Sequence, residues 1–388
     1  MFSDRTNWKL TRNRLTEALD EVRSSGARIL DLTISNPTRA GLRYEDALIL
    51  QSLASPKVLD YDPQPKGLTS ARSAVAAYYE TAHNIRLDRD NVILTTSTSE
   101  GYSFVFRLLC NPGDELLVPK PSYPLFEFLA DLQDVKLIPY PLIYDHGWQM
   151  DFPSLEKVVT RRSRGVVVVH PNNPTGSFVH AHEQELLNRF CREHNLAIIA
   201  DEVFLDYSHG GVLQKSFAGN QDVLTFTLSG VSKISALPQM KVAWIASSGP
   251  TAEVKAAMDR LEVIADTFLS MNAPIQWALP ALLEQRTSIQ KQLRDRVLAN
   301  LTELDRQLAG QKSCQRLSVE GGWYAVLRVP VMQTDEELAV NLLRQKSVLA
   351  HPVHFYDFPS DGYMVLSLIG PEEEFAEGIR RFLEFIDR

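Results

Sequence analysis

The stretch Gly165-Val166-Val167-Val168-Val169-His170-Pro171-Asn172-Asn173-Pro174-Thr175-Gly176 decides the fold class. Four consecutive valines leave no polar face, so the run reads as a strand buried on both sides, as in the centre of a parallel sheet. The Asn, Pro and Gly residues that follow end it in a loop. The design recurs on either side. Leu196-Ala197-Ile198-Ile199-Ala200 is a second apolar run and ends in Asp201-Glu202. Val223-Leu224-Thr225-Phe226-Thr227-Leu228 is a third, followed by Ser229-Gly230-Val231-Ser232-Lys233. Upstream, Glu115-Leu116-Leu117-Val118 leads into Pro119-Lys120-Pro121-Ser122-Tyr123, and Val92-Ile93-Leu94 leads into Thr95-Thr96-Ser97-Thr98-Ser99-Glu100-Gly101. Residues 135–138 and 242–245 add two more strands, and an apolar helical stretch covers 104–109. Strands alternating with helices predict an α/β architecture, a large domain with a mostly parallel sheet flanked by helices.

The chain ends read differently. Residues 6–25 predict an amphipathic helix with Leu15, Ala18, Leu19 and Val22 on one face, followed by a short strand over 29–32. Asn36-Pro37-Thr38-Arg39 is a turn. Tyr61-Asp62-Pro63-Gln64-Pro65-Lys66-Gly67 is a stiff extended loop, because each proline biases its predecessor toward extended geometry, and a helix begins at Leu68. Ile289, Leu293, Val297 and Leu301 recur at helical spacing and predict a connecting helix over 285–308. Strands at 323–327 and 364–368 and a terminal helix from Pro371 complete a smaller α+β unit. The expected division is a 1–45 segment belonging to the small domain, a 46–284 large domain and a 285–388 small domain.

Of 388 residues 44% are hydrophobic and 23% charged, with a net charge of −8 and no charged tail. That balance disfavours nucleic-acid and membrane-surface binding. Cys110, Cys191 and Cys314 are few, odd in number and scattered, which points to a reducing compartment rather than a disulfide frame or zinc site. Residues 1–10 lack a signal-peptide pattern, and no apolar run approaches the about 18 residues a membrane span needs. The expectation is a cytoplasmic protein.

Five features fall at the carboxyl ends of successive strands, where open α/β sheets bind ligands: the Thr98/Ser99 turn, Tyr123, Asn173, Asp201 and Lys233. Each has an ordinary alternative. Hydroxylic turns cap helices, Asn-Pro loops turn chains, Asp201 can cap a helix, and a lone lysine can be solvated. Together they suit a planar, phosphorylated, nitrogen-containing cofactor held covalently. A helix N-terminus and Lys241 would hold its phosphate, Tyr123 would stack on its ring, and Asn173 would donate to a ring oxygen. Asp201 would pair with a ring N–H⁺, and Lys233, with its pKa lowered, would form a Schiff base.

Asn172-Asn173-Pro174-Thr175-Gly176, Asp201-Glu202-Val203 and Gly230-Val231-Ser232-Lys233 stand in the order and approximate spacing of the fold-type-I, pyridoxal-phosphate-dependent aminotransferases of classes I and II, and the chain resembles that family throughout. The resemblance implies pyridoxal 5'-phosphate bound covalently to Lys233, whose freed amine moves a proton at the substrate α-carbon. It implies an amino acid and a 2-oxo acid as substrates. It also implies a homodimer in which Tyr61 reaches the phosphate in the neighbouring subunit.

Four positions depart from the family pattern. Lys241 replaces an arginine and loses its bidentate fork, Gln239 replaces a glycine, and Phe204 replaces a tyrosine that bonds the cofactor oxygen. Val365 stands where an arginine usually binds the substrate carboxylate. Arg39 is the expected substitute anchor, with Asn173 as a second donor and Arg328 as a weaker choice, since alternation along its strand could turn it to solvent. Other pyridoxal-phosphate reactions, namely β-elimination, decarboxylation and biosynthetic cyclisation, share the fold and stay open, as does a sensor domain. No Gly-x-Gly-x-x-Gly turn suggests a dinucleotide. His180/His182 and His351/His354 lack supporting metal ligands, so no metal is expected.

Overall fold

The computed structural model describes residues 1–8, 10–123, 126–210 and 214–387. Its strands, in chain order, are β1 (Leu30–Asp31), β2 (Val92–Thr95), β3 (Glu115–Lys120), β4 (Lys136–Tyr144), β5 (Trp148–Met150), β6 (Ser163–Val169) and β7 (Ala197–Asp201). They continue with β8 (Thr225–Gly230), β9 (Ala243–Ser248), β10 (Gln315–Arg316), β11 (Tyr324–Arg328), β12 (Val348–Leu349), β13 (His351–Pro352) and β14 (Tyr363–Ser367).

Eight of them form the large sheet in the order β2-β9-β8-β7-β6-β3-β4-β5. Neighbours from β8 to β4 are parallel. β9 runs antiparallel between β2 and β8, so β2 shares the direction of β8. The valine run of β6 sits at the centre, and Val166, Val167 and Val168 are at most 1% exposed. Side chains on one sheet face join a core with Phe104 and Leu261, and those on the other pack with Leu187 and Phe190. Both faces are covered, as an all-apolar parallel strand requires. The carboxyl ends of β2, β3, β6, β7 and β8 therefore share one edge.

A smaller antiparallel sheet, β10-β11-β14-β13, stands apart from this one. The N-terminal segment joins it, since Leu30 and Asp31 pair in parallel with Val348 and Leu349 and helix Arg14–Ser24 packs its Leu15 and Ala18 into the same core as Leu342 and Phe382. The predicted 6–25 helix begins only at Arg14, because Asn13 adopts extended backbone and caps the Thr16 N–H at 2.7 Å. The long helix Arg286–Leu308 bridges from the large sheet to the small one, and the terminal helix Glu372–Ile386 carries Glu372, Glu373 and Glu374 in its first turn, where carboxylates meet the positive end of the dipole. No helix among the described residues is long and apolar enough to cross a membrane.

Candidate active site

A cavity of about 500 Å3 opens at the carboxyl edge of the large sheet, and Thr98, Ser99, Tyr123, Asn173, Asp201 and Lys233 all line it. The small sheet closes the other side with Tyr324 and His351, and the turn Val353–Tyr356 after β13 adds Tyr356. Six residues that lie up to 135 positions apart in sequence are thus brought to one place by the parallel strands.

Lys233 lies in the single helical turn Val231–Ile234 that follows β8, at the strand's carboxyl end. Gly230 makes this geometry possible. A Cβ there would lie 2.8 Å from the Ala243 side chain and 2.9 Å from the Val242 carbonyl oxygen, so only glycine lets β8 close onto β9 at this point. The Tyr207 hydroxyl donates to the Lys233 carbonyl at 2.7 Å and fixes the turn. The ammonium group lies 5.0 Å from the Trp323 ring and 5.4 Å from the Phe204 ring. Burial in this aromatic niche lowers the Lys233 pKa to about 8, against the pull of Asp201.

Asp201 ends β7 and is 8% exposed. Burial pushes its carboxyl up to about 6. Hydrogen bonds from the Val203 N–H to Oδ1 and the Tyr102 hydroxyl to Oδ2, both 3.1 Å, oppose that shift, as does the charge of Lys233. Asp201 does not cap a helix; it is a strand-end carboxylate held at the cavity wall. Tyr102 lies one turn beyond Thr98 in helix Thr98–Leu109 and escapes notice in the sequence because a helical tyrosine among apolar neighbours reads as core.

Asn173 lines the same wall, and its side-chain oxygen is buried without a hydrogen-bond partner. The loop that presents it is shaped by Gly176, whose φ of +69° and contact with the Val319 side chain, 2.4 Å from a would-be Cβ, exclude any larger residue. Opposite, Ser97 caps helix Thr98–Leu109 by accepting from the Glu100 N–H at 3.2 Å. The N–H groups of Thr98 and Ser99, the first two residues of that helix, have no intrahelical acceptor.

Lys241, Arg39, Arg328 and Tyr61, the last expected to serve a neighbouring subunit, do not line this cavity. Lys241 is exposed, in left-handed backbone after the turn Pro238–Met240. Tyr61 is 83% exposed and borders a different depression, beside Lys57 and Trp277. Arg39 is exposed at the end of the turn Pro37–Arg39, and of its segment only Ser35 touches the cavity. Arg328 shares the cavity-facing side of β11 with Tyr324 but sits at the exposed far end, over the rings of Tyr144 and Tyr363. Among the described residues no group of three or more His, Cys, Asp or Glu side chains could hold a metal.

With this geometry in view, the chain can be set beside known proteins. The profile of the family described as aminotransferase class I and II matches residues 31–382. The chain belongs to that family. This aminotransferase is 29% identical over 384 residues to a Haemophilus influenzae glutamate-pyruvate aminotransferase, AlaA, covering 95% of this chain and 93% of the relative. It is also 29% identical over 380 residues to an alanine aminotransferase of Mycobacterium bovis, covering 94% and 86%. An alanine aminotransferase from Pyrococcus furiosus superposes over the full length of both chains with a TM-score of 0.91 at 21% identity, a likeness of fold.

The aminotransferase is therefore a pyridoxal-phosphate enzyme that moves an amino group between an amino acid and a 2-oxo acid. The cavity fits that cofactor by its own features. An amine with lowered pKa, a buried carboxylate, a side-chain amide whose oxygen is buried without a partner and a helix N-terminus face one space of suitable volume.

Proposed function

We propose that this aminotransferase takes a small uncharged α-amino acid, alanine foremost, as donor and passes its amino group to a 2-oxo acid, working as a cytoplasmic homodimer. The carrying observation is the cavity wall. Among the described residues it offers no lysine or arginine beyond Lys233, its one other titratable base is His351, and Val169, Val203, Phe204, Phe355 and Tyr324 make much of its surface. A second carboxylate on the substrate would enter that wall without a positive partner, at a cost of several kcal/mol. The name of the Mycobacterium bovis relative, alanine aminotransferase, agrees with alanine as a donor.

When bound, pyridoxal phosphate supplies an electron sink for the bond broken at the substrate α-carbon. Lys233 is the residue to which it attaches and, once released, the base that carries a proton at that carbon; an amine with pKa about 8 is close to the working pH of such a base. Asp201 would pair with the ring nitrogen, with Tyr102 and the Val203 N–H aiming its carboxylate. Asn173 would donate its side-chain N–H to the ring oxygen without help, because Phe204 has no hydroxyl, and Tyr123 would cover the ring. Thr98 and Ser99 receive the phosphate. Lys241 adds charge from outside the wall, and Tyr61 comes from the second copy, a role that suits its exposure. Residues 1–45 and 285–388 form one unit over 46–284, supported by the pairing of β1 with β12.

The test is a donor panel against 2-oxoglutarate and pyruvate, with Lys233→Ala alongside. Alanine should outrun aspartate by at least tenfold in kcat/KM. The Lys233→Ala protein should lose turnover by about a thousandfold or more and its visible absorption after dialysis. Preferred turnover of dicarboxylic donors would overturn the substrate reading, and release of ammonia or carbon dioxide in place of transfer would overturn the reaction.

A further inference from the structure

Resting on the reading of an α-amino acid substrate, we infer that His351, backed by Tyr356, receives the substrate's α-carboxylate in place of the arginine that Val365 displaces. Val365 on β14 pairs with His351 on β13, and Ser367 pairs with Tyr324 on β11, both antiparallel. Directly opposed residues of an antiparallel pair project from the same face, with Cβ atoms about 5 Å apart. His351 and Tyr324 line the cavity, so the face that carries Val365 is the cavity face. An arginine is missing from one strand, and an imidazole stands at the same height on the next.

The imidazole is prepared for such a contact. Its Nδ1 lies 3.0 Å from the Tyr356 hydroxyl, while its Nε2 makes no hydrogen bond to a described residue. Tyr356 is 6% exposed, and its carbonyl oxygen accepts from the Ser122 N–H at 3.0 Å, which ties it to the segment carrying Tyr123. Phe355 packs edge-on against the imidazole, ring centroids 6.0 Å apart. Arg39 would have to swing inward to reach the same space, whereas His351 is already there.

A histidine anchor behaves differently from an arginine. Burial holds His351 below its ordinary pKa, with Asp31 on β1 pulling the other way. The remaining charges around it are Lys233 and Asp201 across the cavity, with Tyr324 and Tyr356 as phenols. Asp335, on the helix packed behind β13, is held by His354 at 3.0 Å. A carboxylate arriving at Nε2 favours the imidazolium, so binding takes up a proton from solvent: Nε2–H donates to the substrate and Nδ1–H to the Tyr356 oxygen. Arginine stays charged throughout and would show no such uptake.

The experiment uses the holoenzyme and propionate, a carboxylate without an amino group. Calorimetry at pH 7 in two buffers of different ionisation enthalpy should show uptake of about half a proton or more on binding, and His351→Gln should abolish it. In steady-state kinetics with alanine, wild-type KM should rise by at least threefold between pH 7 and pH 9. His351→Gln should raise KM at pH 7 by tenfold or more, change kcat less, and flatten the pH dependence. His351→Arg should restore a low KM that no longer varies with pH. Each variant must retain the visible absorption of bound cofactor; if His351→Gln does not, wild-type proton uptake and His351→Arg decide. Wild-type binding without proton uptake, or His351→Gln with wild-type KM, overturns the inference while leaving transamination intact. A wild type that transaminates no amino acid would instead sink the functional reading beneath it.

Discussion

The two walls of the cavity are built on different principles. The large-sheet wall is a row of strand ends, and the residues proposed to hold the cofactor there stand at such ends: Asp201 closes β7, and Asn173 and Lys233 come a few positions after β6 and β8. The sheet fixes their spacing, so the cofactor side leaves little freedom of placement. The small-sheet wall is made by side chains projecting from β11 and β13 and by the turn after β13, and there the proposed answer to Val365 is His351, its partner on the neighbouring strand. Function on the first wall is tied to chain position, and function on the second is tied to a face that several positions can serve.

The largest effect should come from the first wall. Asp201→Asn keeps the shape and the Val203 contact but removes the negative charge. If the strand-end wall holds the cofactor ring, kcat for alanine should fall about a thousandfold, some 4 kcal/mol, while the cofactor stays bound. A fall of less than tenfold would break the contrast by showing that Asp201 is merely a buried structural carboxylate.

The second effect sharpens the contrast through pH. In the cofactor-free protein burial raises Asp201 from its ordinary 3.8 to about 6 and Glu202 from 4.5 to about 7, and lowers Lys233 from 10.5 to about 8. For the carboxyls, whose folded values are raised, the stabilisation is complete below about pH 4 and is lost as pH rises through 6 to 7. For Lys233, whose folded value is depressed, stabilisation is present above about pH 10.5 and is lost as pH falls through 8. Cofactor-free protein should therefore be least stable near pH 7 to 8 and gain on both sides, on the order of 3 kcal/mol for each shifted group. Thermal unfolding between pH 5 and 10 tests this. Lys233→Met should flatten the alkaline limb, and His351→Gln should leave it unchanged. A flat wild-type profile would mean that the strand-end wall holds no uncompensated charge.

The same contrast explains what could be read from the chain. The unbroken apolar runs of β6 and β7 announce a sheet covered on both faces, and once strands are parallel their carboxyl ends must lie together, so Asn173, Asp201 and Lys233 could be assembled from sequence. Tyr102 could not, because its role depends on the turn of a helix relative to the sheet. His351 was legible only as half of an unsupported His351/His354 pair. His354 in fact faces Asp335 and points away from the cavity chemistry, and the meaning of His351 lies in register with Val365, a pairing between residues 14 positions apart that no local pattern encodes. The helical turn that carries Lys233 is not legible in sequence, because four residues of helix are too short to leave a periodic signature.

The smallest effect concerns Arg39, the residue that sequence favoured as the carboxylate anchor. It is exposed, its segment reaches the cavity only through Ser35, and Asn36 holds the turn closed by accepting from the Thr38 N–H at 3.1 Å and the Thr38 hydroxyl at 2.8 Å. To reach substrate it would have to leave solvent and open that turn. A guanidinium that stays hydrated contributes little to a distant carboxylate, since exposed charges more than about a Debye length apart are screened. Arg39→Ala should then change kcat/KM for alanine by less than about twofold at 0.15 M ionic strength, roughly 0.4 kcal/mol, and should not alter the preference for carboxylate-bearing donors. A loss of tenfold or more confined to those donors would show that the segment folds inward when substrate binds. It would also return the anchor to the N-terminal turn and leave His351 as a lining residue only.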